Sequence, residues 1–322
     1  MGENVKTGEV LYIVVPCYNE EPVINETTLR LNEKLYSLIK DEKISNKSKI
    51  LFVNDGSKDK TWSMIKSLHK DNETISGINL SRNRGHQNAL LAGLMYAKNY
   101  ADMVISMDAD LQDDIGAVDE MISYFHKGID IVYGVRNKRE QDTFFKRFTA
   151  EGFYRIMNSM GVETVFNHAD YRLMSKRALE GMEQFREVNL FLRGIVPMIG
   201  YSSAIVYYER GERFAGESKY PLSKMVSFAI EGITSCTTYP LKLVSYVGGG
   251  IFLGSFIILI YSLIAHSMSK TIQGWTSIML SIWSIGGLVL LAIGIIGEYI
   301  GKIYLETKDR PRYIYEDILD KF

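Results

Sequence analysis

An α/β domain with a largely parallel sheet, carrying a membrane-embedded C-terminal tail, is the architecture this sequence predicts. Three observations carry the expectation. Short apolar runs alternate with helical patterns along the first half of the chain. Each of those runs ends in a cluster of polar residues. Charge then vanishes near the C-terminus, where Lys270 is the sole charged residue between Leu243 and Gly297.

The strand candidates are VLYIVVPCY (10–18), KILFVND (49–55), ISGINLS (75–81), DMVISMD (102–108) and IDIVYGV (129–135). They are apolar on both faces, the signature of strands buried within a parallel sheet. Helical patterns near 22–40, 60–70, 86–99 and 117–127 separate them, giving a βαβα order. In the tail, 243–265 and 271–297 carry no charge, and the HSMSK link between them holds one lysine. Each stretch exceeds the ~20 apolar residues that a membrane-crossing helix needs. Buried core helices seldom run so long without a charge, so two spans are expected. Glycines at 248–250, 286, 287, 294, 297 and 301 suit close helix contact in lipid, and with it a homo-oligomer. Ahead of the first span, LSKMVSFAIEGI (222–233) places apolar residues at 222, 225, 226, 229, 230 and 233 on one helical face. That face fits a helix lying in the membrane interface, or equally one packed on the soluble domain. Lys302, Lys308, Arg310 and Arg312 follow the second span, and two spans return the chain to its starting side, so the body and both termini are expected to be cytoplasmic.

Composition removes several classes. The 322 residues include 37 basic and 38 acidic side chains, a net charge of −1, without the basic surplus of a general nucleic-acid binder. Cys17 and Cys236 are too few for a disulfide framework or a four-ligand zinc site. The polar opening MGENVKTGEV holds no signal-peptide core. Neither G-x-G-x-x-G nor G-x-x-x-x-G-K-[ST] occurs, which disfavours Rossmann dehydrogenases and P-loop NTPases.

In open α/β sheets ligands bind at the carboxyl ends of the strands. Those ends read Pro16-Cys17-Tyr18-Asn19-Glu20, Asn54-Asp55-Gly56-Ser57, Ser81-Arg82-Asn83-Arg84-Gly85-His86, Asp108-Ala109-Asp110-Leu111-Gln112-Asp113 and Gly134-Val135-Arg136. Asp108 and Asp110, two apart on a strand end, are expected to point the same way. Two carboxylates so close repel unless a cation lies between them. All-oxygen ligation, with the Gln112 carbonyl as a further donor, suits Mg²⁺ or Mn²⁺. A bare D-x-D elsewhere would read as a solvated acidic turn; its place on a central strand end favours the functional reading.

Taken together, VPCYNE, VNDGSKDKT, SRNRGHQNALLAGL, DADLQD, RGERFAGESKY and the GEYIGKIYLETKDRPRY after the spans resemble the GT-A glycosyltransferases of family 2. Within that family the likeness is to polyprenyl-phosphate glycosyltransferases of the dolichol-phosphate mannose synthase and bacterial GtrB types, and it covers nearly the whole chain. The resemblance implies that Pro16, Tyr18, Glu20 and Asp55 line the nucleotide base and ribose, with apolar contact from Val53. It implies that Asp108, Ala109 and Asp110 face the sugar and diphosphate, that Asp110 and Gln112 hold the metal, and that Arg213 and Lys219 close over the donor diphosphate. Arg136 would sit near the acceptor phosphate. Two departures stand out: Asp114-Ile115 replace a pair of prolines common after this motif, and Arg84 stands where an aromatic is common.

The implied domains are a cytoplasmic GT-A domain over 1–221, an interfacial helix and linker over 222–241, two transmembrane helices over 242–301, and a cytoplasmic tail over 302–322. The implied location is the inner (plasma) membrane, multi-pass. The implied reaction moves a sugar, glucose or N-acetylglucosamine as first expectations, from a UDP-sugar to undecaprenyl phosphate. Catalytic roles fall to Asp108, Asp110 and Arg136. Arg136, Lys146 and Arg147 would hold the acceptor phosphate, since guanidinium pairs well with phosphate oxygens; for the last two a solvated or headgroup-facing stretch is the alternative. Asp170 and Arg172, in HADYRLMSK, read either as a pair orienting a sugar hydroxyl or as a structural salt bridge. His86 reads as a helix-start residue rather than a catalyst. A family-2 transferase with a non-lipid acceptor, or a non-catalytic nucleotide-sugar-binding membrane partner, would share much of this pattern.

Overall fold

The computed structural model describes residues 8–137, 168–209, 211 and 275–320, with 233–235, 237–244, 246–248, 250, 251, 254, 257 and 260. The elements in chain order are β1 (Leu11–Cys17), α1 (Ile24–Lys40), β2 (Lys49–Asn54), α2 (Thr61–Asp71), β3 (Ile75–Leu80), α3 (His86–Ala97), β4 (Met103–Ser106), α4 (Ala117–His126), β5 (Ile131–Arg136), β6 (His168–Ser175), α5 (Lys176–Glu183), α6 (Leu192–Met198), β7 (Ser203–Tyr208), α7 (Trp275–Lys308) and β8 (Tyr315–Leu319).

The strands form a sheet of order β7-β5-β6-β4-β1-β2-β3-β8. Strands β1 to β5 and β7 run one way; β6 and β8 oppose them. The expected α/β architecture with a largely parallel sheet is therefore present. Alternation along each strand feeds two cores. On β1, Leu11, Ile13, Val15 and Cys17 face one core and Tyr12 and Val14 the other. Helix α1 covers the first with Ile24, Leu31, Leu35 and Leu38, spaced as a single helical stripe. Helix α3 covers the second at close range: a Cβ on Gly93 would lie 2.4 Å from Val14 Cγ1 and 2.7 Å from Val53 Cγ2.

Three strands, β6, β7 and β8, lie beyond the five apolar runs expected as strands; β7 pairs parallel with β5 at one edge of the sheet. HADYRLMS forms β6, which inserts antiparallel between β4 and β5 and sets Arg172 opposite both Ser106 and Tyr133. Residues 315–319, within the stretch expected as a tail, form β8 along the free edge of β3. Asp320, just beyond it, pairs with Lys49 and accepts from Ser76 Oγ (2.8 Å) and Tyr96 Oη (3.0 Å), while Tyr315 Oη donates to the Ala92 carbonyl (2.9 Å).

Helix α7 contains most of the expected second span and continues to Lys308. Its 34 residues make it about 51 Å long, beyond the hydrocarbon thickness of a bilayer. Ile285–Lys308, with mean hydropathy 1.8 and an unburied apolar surface, is long and apolar enough to cross a membrane. The expected interfacial helix lies largely outside the described residues, and of the first expected span only scattered positions fall within them. The last turns of α7 dock on the domain. Glu306 accepts from the backbone N–H of Val188 (2.8 Å) and Asn189 (2.8 Å) and from Asn189 Nδ2 (2.6 Å), and Arg312 donates to the Phe185 carbonyl.

Candidate active site

The acidic motif lies on a turn, not on a strand. β4 ends at Ser106, so the strand alternation expected to align Asp108 with Asp110 does not apply. The chain instead reverses at Leu111, whose φ of 57° is a left-handed conformation that disfavours residues with a Cβ, by roughly 1–2 kcal/mol. Among the described residues, three hydrogen bonds hold the turn. The Gln112 N–H donates to Asp110 Oδ1 (3.2 Å), Thr27 Oγ1 donates to the Ala109 carbonyl (2.7 Å), and the Gly211 N–H donates to the Gln112 carbonyl (2.9 Å). The last bond brings the start of the RGERF segment against the acidic turn. Asp108 and Asp110 remain partly accessible on either side of buried Ala109.

On the α3 face, His86 Nε2 lies 2.9 Å from Asp108 Oδ1. His86 is the first residue of α3, as expected, but it also joins the acidic turn. Burial opposes charge on its ring; the Asp108 carboxylate and then Asp170 outweigh it and raise its pKa. In return, His86 overcomes the burial of Asp108 and lowers that carboxyl. Behind them, Asp170 binds two arginines: Arg172 Nη2 at 2.7 Å and, through Nε (3.4 Å) and Nη2 (3.1 Å), Arg193. Burial alone would raise the Asp170 carboxyl, but Arg193 and Arg172 hold it well below the usual carboxylate range. Arg172 is 1% exposed, and its Nε and Nη1 have no hydrogen-bond partner among the described residues. Asp170 and Arg172 are thus ion-paired, and Arg193 joins them, a partner the sequence did not suggest.

On the opposite face, Arg136 ends β5 beside Tyr208 of β7. Arg136 Nε donates to Tyr208 Oη (3.2 Å), Tyr208 Oη donates to Asp113 Oδ1 (2.5 Å), and Arg136 Nη2 is 3.6 Å from that same oxygen. Burial, followed by the neighbouring Asp108 and Asp110 charges, pushes Asp113 up to about 6, against the pull of Tyr208 and Arg136.

The ends of β1, β2 and β3 form the third wall. Asn19, at φ 56°, donates its N–H to Ser57 Oγ (2.9 Å) and accepts from the Lys58 N–H (2.9 Å). The Glu20 N–H donates to Thr61 Oγ1 (2.9 Å). Asp55, 2% exposed, accepts from the N–H of Arg84 (2.7 Å) and Gly85 (2.9 Å). Burial raises its carboxyl and those amides pull it back. Gly56 is required here: at φ 63°, a Cβ would lie 2.6 Å from the Asn83 nitrogen.

The structure therefore brings Asp108, Ala109, Asp110, Gln112 and Arg136 to one end of the sheet. Tyr18 is 41% exposed at the mouth, with Glu20 half-buried beside it. Pro16 and Val53 lie within the strands, and Val53 is wholly buried under α3 and presents no surface. Asp55 braces the loop after β3. Arg213, Lys219, Lys146 and Arg147 lie outside the described residues. Sequence reasoning missed Arg193, Tyr208 and Asp113. Asp113 had a signal, as the last residue of a motif already singled out; the other two come from α6 and β7, whose positions depend on long-range pairing.

The chain resembles known proteins. Residues 12–182 match the family described as Glycosyl transferase family 2. An uncharacterized glycosyltransferase, YkoT of Bacillus subtilis, is 54% identical over 304 residues, covering 94% of this chain and 90% of the relative. The bactoprenol glucosyl transferase of Shigella phage SfV is 38% identical over 311 residues, covering 95% and 97%. A mannosyltransferase from Pyrobaculum calidifontis, solved with GDP-Man and Mn²⁺, superposes with a TM-score of 0.46 at 15% identity, covering 84% and 89%.

Proposed function

The chain belongs to Glycosyl transferase family 2 and is a glycosyltransferase, and from that membership we propose that it moves one sugar from a UDP-sugar to the phosphate of a polyprenyl carrier at the membrane surface. The observation that carries this reading is the acidic turn of Asp108 and Asp110 after β4 with Arg136 at the end of β5, in a chain whose α7 is long and apolar enough to reach through a bilayer. Relatives at 38% identity that bear the name bactoprenol glucosyl transferase support a polyprenyl acceptor and make glucose the first sugar to try.

The donor set fits a divalent cation. Asp110 and the Gln112 side-chain carbonyl supply hard oxygens, with Asp108 beside them, as Mg²⁺ or Mn²⁺ prefers. Such an ion, when bound, would screen the charge that builds on the departing diphosphate. Arg213 and Lys219 would add cationic contacts to that diphosphate. The acceptor phosphate is already an anionic nucleophile, so no strong general base is needed. One of its oxygens forms the new bond to C1 as the bond between C1 and the donor's β-phosphate oxygen breaks. UDP departs with the electron pair, and an α-linked donor gives a β-linked product. Arg136, with Lys146 and Arg147, would hold the acceptor phosphate and shield it from the acidic turn. Tyr18, Glu20 and Asp55 would frame the nucleotide.

The test is a competition between acceptor classes. Purified protein in detergent receives a radiolabelled UDP-sugar panel, Mg²⁺, and either undecaprenyl phosphate or a water-soluble acceptor mixture. Label moving into the organic phase from one donor, with EDTA abolishing it, is the expected result. Label on soluble acceptors alone would overturn the lipid reading, and nucleotide-sugar binding without turnover would point to a non-catalytic partner.

A further inference from the structure

We propose that Asp113 and Tyr208 are positioning residues for Arg136, fixing its guanidinium as the seat of the acceptor phosphate and keeping it off the Asp108 and Asp110 carboxylates. This rests on the function proposed above and assigns two residues to it. Asp113 is 4% exposed, and its Oδ2 is buried without a hydrogen-bond partner among the described residues. A buried carboxylate that is only half satisfied is costly, so its presence calls for a compensating role. Its other oxygen answers that need. Oδ1 accepts from Tyr208 Oη and faces Arg136 Nη2, and the same hydroxyl accepts from Arg136 Nε.

The hydroxyl cannot easily swing away. Tyr208 sits on β7 in register with Arg136 on β5. Its ring meets Tyr171 edge-on, with centroids 5.2 Å apart at 85°, and Tyr171 Oη is itself tied to the Asp114 carbonyl (2.9 Å). Among the described residues, two points of attachment thus set both the position and the plane of the guanidinium, which is what recognition of a phosphate by its oxygens demands. The guanidinium has competing partners: its charge favours the ionised carboxylate of Asp108 as well as that of Asp113. Without Asp113, an arginine drawn to the acidic turn would neutralise the carboxylates of the donor side and abandon the acceptor side together.

The experiment measures steady-state transfer by the full chain in detergent, with undecaprenyl phosphate, Mg²⁺ and the donor selected by the panel. It compares the wild type with Asp113→Asn, Tyr208→Phe, Arg136→Ala and the double variants that join each of the first two to Arg136→Ala. Tyr208→Phe removes one oxygen and keeps the ring packed, so it serves even if Asp113→Asn folds poorly. The expected result is a KM for lipid phosphate raised about tenfold in both single variants, with the KM for the donor moving less than about twofold. Each double variant should be no worse than Arg136→Ala alone, because the effect passes through that residue. Donor and acceptor KM rising together, or effects that multiply in the double variants, would overturn the positioning role. A wild type that makes no lipid product would instead overturn the acceptor reading itself, before any variant is compared.

Discussion

Asp170 illustrates how much one side chain can carry at this site. Its carboxylate is shared by Arg172 and Arg193, and Arg172 has almost no access to water. Removing the charge would leave a buried guanidinium uncompensated, so Asp170→Asn should lose about 3–5 kcal/mol, read from denaturation in detergent. The acid response has a defined sign. Asp170 is held below its ordinary value of 3.8, so it adds stability above that pH and forfeits it as the pH falls further. The variant should therefore show a smaller acid loss than the wild type between about pH 4 and pH 2. Chemistry should respond to a different residue: Asp110→Ala should reduce transfer by at least about 10²-fold, with a smaller loss of stability than Asp170→Asn because Asp110 is partly accessible and gives up the bond from the Gln112 N–H. Asp108, Asp110, Gln112 and Arg136 were legible in the sequence because the carboxyl ends of parallel strands are where such folds bind ligands, and these polar residues cluster there. Arg193 and Tyr208 were not, because an arginine in FLRG or a tyrosine in a strand acquires meaning only when distant elements pack beside it.

Helix and strand boundaries followed from hydrophobic period, and α1 to α4 lie within two residues of their expected limits. What the period could not supply was strand order. The insertion of β6 between β4 and β5, and its reversed direction, depend on pairing across the whole sheet. That insertion is what carries Asp170 and Arg172 to the acidic turn. Close packing gives a test at this scale. Gly93→Ala adds a methyl where Val14 and Val53 leave no room, so α3 must lift from β1 and β2. A loss of about 1–3 kcal/mol is expected, measured by denaturant titration. Because α3 starts at His86, transfer should fall as well. Gly128, at φ 86° but with open space around it, should tolerate the same change with a smaller loss, arising from backbone strain alone.

At the scale of the molecule, the C-terminal segment ties the apolar helix α7 to the sheet domain. Helix α7 leaves its apolar stretch, locks through Glu306 to Val188 and Asn189, turns at Asp309, and returns as the edge strand β8. The loop gripped by Glu306 leads directly into α6 and Arg193. Glu306→Ala should therefore loosen the join between helix and domain, seen as faster proteolysis between 184 and 192, and should lower transfer to a membrane-borne acceptor. Charge patterning revealed the apolar helix, but β8 was hidden because its five residues resemble a polar tail until the edge of β3 is there to receive them. The central claim concerns the whole assembly: a sugar passes from nucleotide to lipid phosphate at the membrane surface. Mass spectrometry of the lipid formed from UDP-sugar and undecaprenyl phosphate tests it most directly. The expected product carries one added hexosyl or N-acetylhexosaminyl residue and still a single phosphate, with none formed by Asp110→Ala. Unchanged lipid while UDP is released, or a product that has gained a second phosphate with the sugar, would contradict it.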